Sequence, residues 1–207
     1  MSATGFLSFG AETFRWPGAE LHWWPAAVAP DLADRWMEAL QSDIGWQEER
    51  LTLFGRQVLA PRLIAWHGDP DSRYRYSGVV HHPRPWTPLL SEIRDAVQQL
   101  ASESFNSVLL NFYRHGQDSM GWHADDEPEL GPEPVIASLS LGQARRMRFR
   151  RRRDHSDTHE LVLSHGSLLV MSGQTQANWH HAIPKTRRAP GPRINLTFRH
   201  ITTSGPG

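Results

Sequence analysis

Six short segments follow one another in the second half of the chain: SVLLNFY (107–113), VIASLSL (135–141), RRMRFRR (145–151), HELVLS (159–164), SLLVMS (167–172) and RINLTFRHI (193–201). Gly, Pro, Asp or His-Gly turns separate them at fairly even spacing. Short strands so arranged bury their apolar residues only by packing sheet on sheet, which predicts a sandwich or jelly roll.

The first half has a different texture. PDLADRWMEALQSDI (30–44) opens on Pro30 and Asp31 and places Leu32, Trp36, Met37 and Leu40 at helical spacing. TPLLSEIRDAVQQLASES (87–104) carries Leu89, Leu90, Ile93, Val97 and Leu100 on one stripe. Both read as amphipathic helices. The intervening segment 50–78, with its aromatics, β-branched residues and Gly/Pro punctuation, reads as hairpins and loops. No repeat, coiled coil or long linker interrupts the chain, so 1–207 is expected to form one α+β, mainly β domain. Helices and hairpins over 1–104 would flank a strand core over 105–202.

Composition narrows the chemistry. Hydrophobic residues make up 39% of 207 residues, and no apolar run approaches the ~20 residues of a membrane span. Ser2, Thr4, Gly5 and Glu12 stand where a signal peptide would carry basic and apolar residues, so a cytoplasmic protein with no membrane partner is expected. With no cysteine, any metal site must rest on His, Asp and Glu, and twelve histidines are present. The net charge of zero excludes a grossly basic nucleic-acid binder and leaves only a local patch. Lys185 is the only lysine. The arginine bias fits carboxylate and phosphate binding, and it equally fits a codon composition that favours Arg, Ala, Gly and Pro.

The last segment alternates. Arg193, Asn195, Thr197 and Arg199 share one face, and Ile194, Leu196 and Phe198 share the other. Asn111 and Tyr113 repeat the pattern against Leu110 and Phe112. A surface strand also alternates, but two polar strand faces together can line one cavity. In GWHADDEPELG (121–131), His123 and Asp125 are two apart and project to one side if extended. QANWHHAIP supplies His180 and His181 far along the chain. A His-x-Asp pair with one distant His is the composition of a facial triad for non-haem Fe(II), and zinc uses the same residue types.

From about Leu53 to Ile201 the sequence resembles the AlkB family of Fe(II)- and 2-oxoglutarate-dependent dioxygenases. The resemblance rests on NFYRHGQDSMGWHADDEPELG, IASLSLG, HGSLLVMSGQTQANWHHAIPK and PRINLTFRHI. It implies a double-stranded β-helix, O₂ as the oxidant, and oxidative demethylation of N-alkylated DNA bases such as 1-methyladenine and 3-methylcytosine, with release of formaldehyde, succinate and CO₂. It makes His123, Asp125 and His181 the iron ligands and catalytic centre, with His180 a neighbour. Arg193, helped by Tyr113, would clamp the distal carboxylate of 2-oxoglutarate, while Asn111, Asn195 and Arg199, on the face shared by Thr197, serve the end that chelates iron. Asp126 and Glu127 would face substrate, Glu127 reading an exocyclic group.

A base inside a duplex must be flipped or supplied single-stranded to reach buried iron. The resemblance puts Tyr76, with Tyr74 on the same strand face, against the flipped base. LFGR (53–56) resembles a hairpin inserted into the base stack, with Phe54 filling the gap and Gly55 and Arg56 completing the turn. Arg62 reads as a phosphate contact or as a solvated arginine. RRMRFRRRR (145–153) is the local basic patch: Met147 and Phe149 would face the core, and Arg146, Arg148, Arg150 and Arg152 would face out toward a DNA backbone or simply toward water. A monomer acting on duplex or single-stranded DNA is the primary expectation. The same chemistry on RNA or protein, or a non-catalytic metal- or nucleic-acid-binding module, are the alternatives.

Overall fold

The six segments form strands in the computed structural model, which describes residues 10–53, 55–76, 79–187 and 191–202. They are β7 (Ser107–Tyr113), β9 (Ile136–Gly142), β10 (Arg145–Arg151), β11 (Thr158–Leu163), β12 (Ser167–Ser172) and β14 (Arg193–Arg199). Two short strands, β8 (Met120–His123) and β13 (Trp179–Ile183), complete the set. From β7 onward the chain switches between two sheets at every connection except β10 to β11. One sheet contains the order β12-β9-β14-β7 and the other runs β11-β10-β13-β8. This is the double-stranded β-helix that the resemblance implies, a jelly roll of the kind the even strand spacing predicts.

Alternation then sorts the apolar residues into two cores. Ile136, Leu169 and Met171 from the major sheet meet Met147, Phe149, Leu161, Leu163, Trp179 and Ile183 from the minor one between the sheets. The opposite face of the major sheet offers Val108, Leu110, Leu139, Leu141, Ile194, Leu196 and Phe198 to the helices. Helix α1 (Pro30–Asp43) packs there through Ala33, Trp36, Met37 and Leu40, and α2 (Pro88–Ala101) through Leu90, Ile93 and Val97. The Thr87 hydroxyl accepts from the Leu90 amide at 3.2 Å and caps α2. Gly142, at φ 86°, turns β9 toward β10 where a Cβ would strike the Pro192 carbonyl, so only glycine fits.

The first half of the chain holds more strand than the sequence reading assigned. β1 (Glu12–Trp16) and β2 (Ala19–Trp24) form a hairpin that adds to β12, and β3 (Gln47–Leu53) with β4 (Arg56–Gly68) adds to β7. The major sheet therefore has eight strands, four of them from before residue 69. Pro17-Gly18 between two aromatic-rich runs is a turn signal of the kind that marks such a hairpin. A separate pair, β5 (Tyr74–Tyr76) and β6 (Val79–His81), lies outside both sheets. Among the described residues no helix is long and apolar enough to cross a membrane.

Candidate metal and cosubstrate site

Antiparallel pairing of β13 with β8 puts His181 opposite His123, with ring centroids 4.2 Å apart. Asp125 lies two residues past His123, where β8 ends. The loop that follows brings it round, and Gln176 Oε1 fixes it by accepting from the Asp125 amide at 3.0 Å. The result is the convergence the spacing predicted: one ligand atom each from His123, Asp125 and His181 lie within 4.8 Å of one another. His180 points to the other side of β13, as alternation requires, and stands beside Arg150 on the neighbouring strand.

His123 and Asp125 carry the protonation states that metal binding needs. Burial, with the neighbouring His181 ring adding to it, lowers His123 to about 4, so its imidazole is neutral near pH 7. Its Nδ1 lies 2.9 Å from the Gly121 carbonyl, which leaves Nε2 for the centre of the cluster. Burial alone would raise the Asp125 carboxyl, but the Arg199 guanidinium and the His181 imidazole overcome it and hold the group well below the usual carboxylate range. Arg199 donates directly to Asp125. Two imidazoles and one carboxylate are the donor set of non-haem Fe(II) sites.

The polar faces of β7 and β14 line the same cavity. Arg193 pairs with Tyr113 and Asn195 with Asn111 across the two strands, and all four, with Thr197 and Arg199, border the cavity that the metal-type cluster borders. Arg193 is 1% exposed. Its Nη2 donates to Ser140 Oγ at 3.0 Å and its guanidinium lies 5.2 Å from the Tyr113 ring, while Nε and Nη1 are buried with no hydrogen-bond partner among the described residues. Among the described residues no acidic side chain reaches it. Burial pushes its pKa down to about 10, and it remains charged at neutral pH. A buried cation with two idle donors and no countercharge is costly. An anion with a planar carboxylate supplies what is missing, as 2-oxoglutarate would. Asn195 is already engaged, donating to Ser138 Oγ at 2.8 Å and to the Leu139 carbonyl at 3.0 Å.

Other expected contacts fall elsewhere. Arg62 is neither solvated nor available to phosphate: it is 6% exposed, donates through Nε to Asn111 Oδ1 at 2.7 Å, and pairs through Nη2 with Glu49 at 2.9 Å. Asp126 does not face the cavity. It is exposed and held at 2.6 Å by Arg152, the residue that follows the end of β10. Glu127 is half-buried, with Oε2 out of solvent and without a hydrogen-bond partner among the described residues. Gly55 and Arg56 are exposed on the β3–β4 hairpin, and Phe54 lies outside the described residues. Tyr74 and Tyr76 bound β5, with side chains outside the described part of the structure.

On the outer face of the minor sheet, Arg148 is exposed with no ion pair among the described residues. Arg150 lies 4.5 Å from the Trp122 ring. Sequence reasoning missed Gln176, buried in the four-residue helix α3 (Thr175–Asn178), because a short polar segment carries no periodic signal.

Residues 20–199 match the 2OG-Fe(II) oxygenase superfamily, and the chain belongs to it. The chain is 38% identical over 187 residues to alpha-ketoglutarate-dependent dioxygenase alkB homolog 3 of Mus musculus, a match that takes in 86% of this chain and 65% of that protein. It is 42% identical over 163 residues to DNA oxidative demethylase ALKBH2 of Homo sapiens, taking in 73% of this chain and 61% of that one. The chain thus spans just under two thirds of the length of these relatives. The solved structure of OsALKBH1 superposes with a TM-score of 0.62 over 92% of this chain and 99% of that chain at 18% identity, a likeness of fold.

Proposed function

We propose that the protein is an Fe(II)- and 2-oxoglutarate-dependent oxidative demethylase that repairs N-alkylated bases in DNA. The observation that carries this reading is one cavity holding a His–Asp–His cluster at one point of its wall and a buried, uncompensated arginine at another. The names of the relatives, an alpha-ketoglutarate-dependent dioxygenase and a DNA oxidative demethylase, favour DNA as substrate.

In this reading His123, Asp125 and His181 would hold Fe(II), and Arg193, which lies against the Tyr113 ring, would bind the distal carboxylate of 2-oxoglutarate. Asn111 and Arg199 serve the metal-proximal end. Iron and 2-oxoglutarate, when bound, supply the oxidation of an N-methyl group by O₂, with loss of formaldehyde, succinate and CO₂. The chain's own part is geometric and electrostatic. Arg199 and Gln176 orient Asp125, the Gly121 carbonyl orients His123, and the apolar lining of Met120, Met147, Leu163 and Ile183 excludes water. Glu127, two residues beyond Asp125, is the carboxylate left to read an exocyclic amino group.

Succinate and formaldehyde measured together on 1-methyladenine in single-stranded DNA, duplex DNA, RNA and a methylated peptide test the proposal. Formaldehyde from DNA is expected. Formaldehyde from peptide alone sinks the DNA reading.

The outer face of the minor sheet is the proposed DNA-backbone surface, with Arg148, Arg150 and Arg152. Replacing all three with glutamine should flatten the salt dependence of DNA binding by about 0.9 in log K against log salt for each phosphate that is no longer neutralised. Arg148 should account for more of it than Arg152, whose charge is already met by Asp126. An identical slope in the triple variant leaves these arginines as a solvated face.

A further inference from the structure

We propose that Arg62 is a positioning residue for the cosubstrate, acting through Asn111 and held in place by Glu49. The inference rests on the reading of the cavity given above, and its test separates the two.

An arginine side chain has five N–H donors and no acceptor. The hydrogen bond of 2.7 Å between Arg62 Nε and Asn111 therefore fixes which end of the asparagine amide faces which way: the oxygen must meet Arg62. The donor group Nδ2 is what remains for the cavity that Asn111 borders. An asparagine free to rotate would offer the cavity its oxygen as readily as its NH₂, and the oxygen repels an anion. Arg62 removes that choice.

The strand pairing brings these groups together. β3 and β4 pair in regular register up to Glu48 with Leu63 and resume at Arg50 with Leu59. Between these points Glu49 stands alone on β3 against Ala60, Pro61 and Arg62 on β4. Bulges of this kind re-aim side chains near functional sites, and Pro61, lacking an N–H, suits a position where ladder pairing fails. Beyond the bulge Ile64 is opposite Asn111, so Arg62, two residues earlier on the same face, reaches Asn111 diagonally. Glu49, 33% exposed at its side chain, supplies the countercharge that the buried guanidinium needs, at 2.9 Å. Arg193 has no such partner, and this contrast separates an arginine that waits for an anion from one already satisfied.

The test is a double-mutant cycle on 2-oxoglutarate binding, measured by calorimetry on protein loaded with Mn(II) and without nucleic acid, so that no turnover enters the readout. Arg62→Met should weaken binding about tenfold or more, the scale of a hydrogen bond to a charged group. In an Asn111→Ala background the same substitution should change affinity less than twofold. Additive losses overturn the proposal, because Arg62 then acts independently of Asn111. Unchanged affinity in Arg62→Met, with a loss in Asn111→Ala, overturns the positioning role and leaves the cavity reading intact. Unchanged affinity in Asn111→Ala also overturns the proposal, because Arg62 then has nothing to position. Should Arg62→Met fail to fold, Glu49→Gln frees Arg62 at a half-exposed position, and the same cycle applies with a smaller expected loss. A Glu49→Gln effect that persists undiminished without Asn111 also overturns the proposal.

Discussion

Alanine at His123, Asp125 or His181 leaves a protein without measurable turnover and with little bound iron after anaerobic reconstitution, whereas His180→Ala keeps most of both. The basis is geometric. Three ligand atoms converge within 4.8 Å, and removing one leaves two, too few to hold the metal in a facial arrangement. His180 is adjacent in sequence to His181, but β13 turns it to the opposite side, beside Arg150. Iron content and succinate formation in the four variants decide the matter. If His180→Ala loses iron and His181→Ala retains it, the ligand assignment is wrong.

Arg193→Met is expected to weaken 2-oxoglutarate binding by two to nearly four orders of magnitude, the equivalent of roughly 3–5 kcal/mol for breaking a buried ionic pair. The same substitution should leave the unliganded protein as stable as the parent or more so. It replaces a fully buried charge that has Ser140 and Tyr113 for company and no anion. Arg193→Lys keeps the charge and loses the fork, so it falls between. Thermal melts with and without 2-oxoglutarate check both halves. The parent melts higher with the ligand, and Arg193→Met gains nothing from it. Parent-like affinity in Arg193→Met removes the clamp from the site.

What the sequence made legible follows from what is periodic. The two-residue alternation in SVLLNFY and RINLTFR determines a face for every side chain, and the structure keeps those faces: Asn111, Tyr113, Arg193, Asn195, Thr197 and Arg199 border the cavity. The His-x-Asp pair and a distant His were legible by residue type. Pairing between charged side chains was not. Arg62 looks like any surface arginine until a bulge brings Glu49 and Asn111 to it, and Arg152 looks like the next residue of a strand that stops one position earlier. Such pairings depend on where strands end and slip, which local pattern leaves undetermined. The β1–β2 hairpin was missed for a different reason. Its turn dipeptide, Pro17-Gly18, was present, but it precedes α1 in a segment otherwise rich in tryptophan and proline.

The place of β14 in the major sheet has a consequence for biosynthesis. It follows every other described strand in sequence, yet it lies between β9 and β7, hydrogen-bonded to both. While a ribosome is still translating toward residue 199, the nascent domain has a vacant slot at its middle, with unpaired backbone on both banks. The strand that fills it carries Arg193, Asn195, Thr197 and Arg199. Closure of the sheet and assembly of the cosubstrate pocket are thus the same event, and a partly made polypeptide has no way to bind cosubstrate before it is folded.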